Sequence, residues 1–141
     1  ILIQFYQVDM NTRRQPTPHD FLQTAGGMPD GLPEVFKTSC YDCHSDNTIY
    51  PWYAYFAPFS WIINQHIQNG KAEMNFAHYD TLGKRQKIAF LNDLCEVVSD
   101  SSMPPQNYLI LHRDAILTED HVIAICDFAD TEAMLLLRSD R

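Results

Sequence analysis

The chain has 141 residues, 45% of them hydrophobic and 12% aromatic, enough to close one core of single-domain size. A net charge of −8 with a pI near 5.0 argues against nucleic-acid binding and favours a protein partner with a basic docking face. No apolar run approaches the roughly 18 residues that would span a bilayer.

The opening "ILIQFYQVD" is an apolar burst that turns polar at once. It reads either as the trimmed end of a signal peptide or membrane anchor, with a tether upstream of residue 1, or as an ordinary first turn of the fold. The following "QVDMNTRRQPTPHDFLQTAGGMPDG" carries Pro, Gly and polar residues without apolar periodicity, so residues 1–32 are expected to form an extended arm around a domain spanning 33–141. From "LPEVFKTSC" a helix is expected, with Pro33 tolerated in its first turn and Val35 and Phe36 turned inward. "APFSWIINQHIQNG" reads as a second helix, Ser60 capping it and Gly70 stopping it. A third is expected from about Asp80 to Ser99, where Ile88, Leu91, Cys95 and Val98 fall at helical spacing. The fourth begins at "LTEDHVIAICDFAD": Thr118 can cap, Glu119 and Asp120 suit the positive end of the helix dipole, and Val122, Cys126, Ala129 and Ala133 form the inner face. There is no convincing strand alternation, no Gly-rich phosphate loop and no internal repeat. The class is all-α.

The chemistry is concentrated in "TSCYDCHSDNT", residues 38–48, which sets Cys40, Cys43 and His44 within five positions. Three readings compete. A dithiol redox site needs a thioredoxin-like βαβ scaffold, which the helical pattern does not supply. A structural zinc site needs a second Cys/His pair at ligand spacing, and Cys95 and Cys126 are isolated singletons. Covalent haem uses all three residues: two thiols add to the two vinyl groups of one porphyrin and the next residue offers an imidazole to iron. On a turn of helix the thiols at i and i+3 and the histidine at i+4 share one side, so all three can meet one flat macrocycle. By ordinary residue usage the pattern arises by chance about once in a thousand chains of this length.

Beyond this motif, "CYDCHSDNTIYPWYAYFAPFSWIINQHIQNGKAEMNFAHYD" and "SSMPPQNYLILHRDAILTED" resemble the bacterial haem-binding domain family of monohaem c-type cytochromes over residues 33–130. That family shows C-x-D-C-H-S, Y-P-W-Y, A-P-x-S-W, H-V-x-x-G, L-N-F, a Met-Pro distal segment and L-I-H-x-D-A. Departures are Met74, where the family prefers Leu, and Cys95 and Cys126. The resemblance implies a cytochrome c-like helical domain around one haem c, exported to the periplasm or an equivalent compartment and often tethered by an N-terminal hydrophobic segment.

A filled sixth iron position favours electron transfer, because six-coordinate iron changes geometry little between oxidation states. Met103 in "SSMPPQNY" is the candidate, following a helix with Pro104 and Pro105 stiffening its loop, and the resemblance implies the same residue. Met28 in "GGMPDG" is the weaker alternative because it precedes the haem motif. His66 could reach the haem edge or serve as a hydrogen-bonded packing group, and His112 is expected to fix the loop after Met103 through a backbone bond. Trp52, Tyr53 and Trp61 could hydrogen-bond the propionates or simply line the core. Lys84 and Arg85 could face a propionate or lie on a helix surface. His19, His78 and His121 read as solvated. Cys95 and Cys126, each on the apolar stripe of its own helix, either pair as a disulfide or pack as small hydrophobes. The function expected is a single-electron carrier rather than a catalyst, with His44 and Met103 as axial ligands. The alternative is a peroxidase-like or gas-binding haem domain with a labile sixth ligand.

Overall fold

A computed structural model describes Met10 and residues 16–139. Among the described residues every regular element is helical: α1 Phe21–Thr24, α2 Leu32–Ser39, α3 Tyr41–His44, α4 Phe59–Glu73, α5 Lys84–Ser99, α6 Gln106–Leu109 and α7 Glu119–Arg138. Short 3₁₀ turns at Trp52–Tyr55, Phe76–Thr81 and Arg113–Ala115 join them.

Phe21 is the hub of the core. Fully buried, it meets Phe36 and Phe76 edge-on at 5.2 Å, Tyr79 at 4.9 Å and Phe128 at 5.9 Å between ring centroids. Such pairs add about 0.5–1.5 kcal/mol each beyond the area they bury. The N-terminal segment is thereby joined to α2, α7 and the 3₁₀ turn at 76–81. Asp20 caps α1 by accepting from the Leu22 N–H at 3.0 Å, and Thr17 Oγ1 donates to the Ala77 carbonyl at 2.6 Å. The first part of the expected arm and its tether, residues 1–9 and 11–15, lies outside the described residues.

Helices α5 and α7 form the main pair. They run antiparallel, Cys95 lying against Cys126 while Lys87 sits near Glu132. Leu91, Leu94 and Val98 face Ile125, Phe128 and Ala129 in the core. Of the expected stripes, Leu91, Val98, Ala129 and Ala133 are buried, Ile88, Cys95, Val122 and Cys126 are half-buried, and Phe90, Leu94, Ile125 and Phe128 complete the inner faces. Cys95 and Cys126 do pair, with a Cα–Cα distance of 4.8 Å.

Thr118 caps α7 as expected, its Oγ1 accepting from the His121 N–H at 3.2 Å. Three expected boundaries are corrected. Ser60 does not cap α4, because the free N–H groups of the first turn already reach backbone carbonyls of Phe56 and Pro58. Gly70 does not stop α4, which continues to Glu73. Nor does α5 start at Asp80, which belongs to the 3₁₀ turn: its N–H donates to the His19 carbonyl at 3.0 Å, and Gln86 Oε1 caps the Gly83 N–H at 3.0 Å just before the helix.

Two predictions follow from this packing. Replacing both Cys95 and Cys126 by Ser removes a crosslink spanning 31 positions and should lower stability by about 3–4 kcal/mol, read as a reduced urea midpoint. Asp20 is buried, and desolvation raises its carboxyl above the ordinary value against the opposing bonds from Tyr41 and Leu22. A carboxyl raised in the folded state supports folding at low pH and loses that support as pH climbs through its folded value. Asp20→Asn, which still accepts from Tyr41, should therefore gain stability relative to the native chain as pH rises from 4 to 7, checked by denaturation at each pH.

Candidate functional site

Helix α2 closes at Cys40, whose N–H donates to the Phe36 carbonyl at 2.9 Å, and Cys40 itself leaves helical geometry with φ −126° and ψ −40°. Its carbonyl then opens the next turn, accepting from Cys43 at 3.3 Å and from His44 at 3.0 Å. The two thiols and the imidazole thus share one helical turn, as the spacing requires.

Three contacts fix that turn. The Tyr41 O–H donates to Asp20 Oδ1 at 2.6 Å from the core side. Helix α4 packs so tightly that a Cβ at Gly70 would lie 2.8 Å from the Cys43 carbonyl oxygen. His44 Nδ1 lies 2.9 Å from the Met74 carbonyl. Since a carbonyl only accepts, Nδ1 carries the proton and Nε2 keeps the lone pair available to a metal. This orienting bond is of the kind that holds metal-bound histidines in register. The unusual Met74 takes part through its backbone, so the departure from Leu leaves this bond unaffected.

Cys40, Cys43 and His44 open onto a cavity of about 550 Å³, within the ~300–1,000 Å³ typical of cofactor sites. Phe76, Leu94, Val97, Val98, Met74 and Pro105 give it apolar walls. Two thiols, an oriented imidazole and a large apolar cleft together fit a covalently held haem. Burial pushes the Cys40 thiol up to about 12 and the Cys43 thiol up to about 11, the opposite of the stabilised thiolate that a dithiol redox centre uses. A zinc set is not assembled either: Cys95 and Cys126 are consumed by their disulfide, and among the described residues no three His, Cys, Asp or Glu side chains are arranged so that they could hold a metal ion between them.

Met103 lines the same cavity from the loop after α5. That loop is firmly held. Ser101 ends the helix with φ 62°, Asp100 Oδ1 accepts from the Ser102 N–H at 2.8 Å, and the Met103 N–H donates to the Val97 carbonyl at 3.0 Å. Met28 packs against the core and is not among the residues lining the cleft. Met74 does line it, on the side of His44 whose ring it orients.

The remaining expected site residues divide. His66 borders the cavity. Tyr53 borders a smaller one of about 50 Å³ that shares Asp42, Cys43, His66 and Tyr108 with it. Trp52, 77% exposed, and Trp61 line neither, and nor do Lys84 and Arg85. His112 does fix the loop after Met103 through its backbone, its N–H donating to the Tyr108 carbonyl at 3.1 Å and its carbonyl accepting from the Ala115 N–H at 3.1 Å, and its side-chain Nε2 also lies 2.6 Å from Tyr53 Oη. The solvated histidines at 19 and 78 are exposed and lie beside Asp80 and Asp46.

Two contributors were missed by sequence reasoning. Tyr108 lines both cavities, donates to Asp42 Oδ2 at 3.1 Å and stacks flat on His112 at 4.1 Å. Asp42, lying between the two cysteines, accepts from the Ile49 N–H at 3.0 Å, and its carboxyl is raised chiefly by desolvation. The only signal for either was proximity to the motif or to Met103. Asp42, Glu73 and Asp93 border the main cavity, and among the described lining residues there is no Lys or Arg.

The profile of one protein family, described as a haem-binding domain, matches residues 1–131. No curated protein and no solved structure matches the chain.

Gly70→Ala tests the clamp. In an open helix the change would stabilise by about 0.5–1 kcal/mol. Here the new methyl meets backbone, so a loss of about 1–3 kcal/mol and reduced haem loading are expected, measured by urea unfolding and by absorbance per polypeptide.

Proposed function

The chain belongs to the haem-binding domain family, and from that premise we propose that it is a monohaem c-type cytochrome domain carrying single electrons in an exported compartment. The observation that carries the reading is the shared cavity: Cys40, Cys43, His44 and Met103 border one apolar cleft. Cys40 and Cys43 would hold the haem through thioethers, and His44 Nε2 and the Met103 thioether would be the donors to its iron. When bound, the group supplies a one-electron iron couple.

The chain's own residues set the terms of that couple. His44 is held by the Met74 carbonyl, which fixes its tautomer and raises its basicity. Met103 is preorganised by the bonds of residues 100–103, so a weak thioether donor is not lost to loop entropy. Apolar walls exclude water, and the carboxylates of Asp42, Glu73 and Asp93 favour the more positive oxidation state. The Cys95–Cys126 disulfide supports an oxidising, exported location. Net charge of −8 supports long-range steering toward a positively charged redox protein.

A peroxidase-like or gas-binding reading draws on a different observation. Met103 also borders a second cavity of about 410 Å³, toward which a flexible thioether can turn.

Paired variants decide between them. Met103→Ala should lower the midpoint potential and open the protein to cyanide and carbon monoxide, whereas Met28→Ala should leave both unchanged, as followed by redox titration and ligand-binding spectra. Cys40→Ala combined with Cys43→Ala should abolish the haem-stained band on denaturing gels. An iron–thioether absorption band absent from the native protein near neutral pH would favour the labile-ligand reading.

A further inference from the structure

Residues 47–70 contain no Asp, Glu, Lys or Arg, although the chain carries 18 acidic and 10 basic residues. The same stretch exposes large apolar side chains: Ile49 79%, Trp52 77%, Tyr55 53%, Phe56 55%, Phe59 54% and Ile62 50%. A folded monomer seldom leaves so many large rings uncovered in one segment without a use for them. Depletion of charge combined with Trp, Tyr and Phe is the composition found at the core of protein–protein interfaces.

This surface is joined to the cavity by aromatic rings in contact. Tyr108, a cavity wall, stacks on His112 with an interplanar angle of 7°. His112 Nε2 meets Tyr53 Oη at 2.6 Å, and the Tyr53 ring touches exposed Trp52 at 5.8 Å and Phe59 at 6.5 Å between centroids. Trp52 in turn contacts Phe56 edge-on at 6.4 Å. A surface serving only as a lipid anchor has no requirement for this link to the cofactor cleft, whereas a surface that receives an electron-exchanging partner does.

We propose that the uncharged aromatic face around Trp52, Phe56 and Phe59 is the docking surface for a one-electron redox protein whose own contact rim is apolar and uncharged. The inference rests on the electron-carrier reading above. Net charge steers the partner from a distance, while the contact itself is hydrophobic, so the partner's basic residues lie outside the docked rim. Exchange moves one electron between the two proteins, one being oxidised as the other is reduced, with no bond made or broken.

The haem-loaded chain and a Trp52→Ser/Phe56→Ser variant, both changes at exposed positions, provide the test. The partner probes are a cupredoxin with a neutral apolar rim, in a zinc-substituted inert form and a copper form, and a lysine-rimmed cytochrome. The inert cupredoxin should shift the Trp52 indole N–H resonance of the native chain. The copper form should exchange electrons about tenfold more slowly with the variant at every ionic strength, the midpoint potential being unchanged. Faster exchange with the lysine-rimmed cytochrome that the double substitution does not alter would overturn the proposal in favour of an acidic docking face. Co-sedimentation with phosphatidylcholine vesicles that the variant loses would overturn it in favour of a lipid surface. A native chain that incorporates haem but shows no reversible one-electron wave at an electrode would instead overturn the electron-carrier reading, a result distinct from either docking outcome.

Discussion

Helix α4 can touch the turn that carries Cys43 only because position 70 has no side chain. The rest of the site follows from that approach. With α4 seated there, the chain leaves the helix at Met74 with a carbonyl in reach of His44, and the 3₁₀ turn that follows delivers Phe76 to the core and to the cavity wall. Helix propensity alone would favour Ala at position 70 by about 0.5–1 kcal/mol. Close packing against the backbone of the motif outweighs it.

The opposite side of the same turn is fixed from the N-terminal segment. Tyr41, between the two thiols in sequence, faces away from the cavity and bonds the buried Asp20, which also caps α1 and places Phe21 at the centre of the aromatic core. The second carboxylate oxygen of Asp20 is buried without a hydrogen-bond partner among the described residues. Leaving a polar atom so exposed to a low dielectric costs of the order of 1–3 kcal/mol. The core therefore tolerates a local penalty to hold the motif from behind, and the site and the core are mechanically one object.

A division of labour runs across the molecule. Neutral aromatic surface lies over residues 47–70, while carboxylates border the cofactor cleft and the disulfide ties α5 to α7 behind Met103. Because α5 supplies Leu94, Val97 and Val98 to the cavity and then the Met103 loop, crosslinking it to α7 holds the wall and that loop together. The carboxylates at the cleft and the exposed apolar side chains thus belong to different segments of the chain.

The sequence by itself determined the all-α class, the cap of α7 at Thr118 and the grouping of Cys40, Cys43 and His44, because these depend on interactions within a few positions of the chain: helical periodicity, a hydroxyl three residues before an N–H, and an i, i+3, i+4 spacing. Order along the chain also set Met103 and Met28 on different sides of the motif, and Met103 is the one of the two that lines the cleft. Only the tertiary structure decided the pairing of Cys95 with Cys126, the placement of Trp52 and Trp61 away from the cleft, the side-chain bond of His112, and the roles of Tyr108 and Asp42. Gly70 shows why. Local rules read it as a helix stop, and its neighbour across space, Cys43, made it a point of contact inside the helix. Contacts between residues far apart in sequence leave no periodic trace, so they become visible only once the helices are packed.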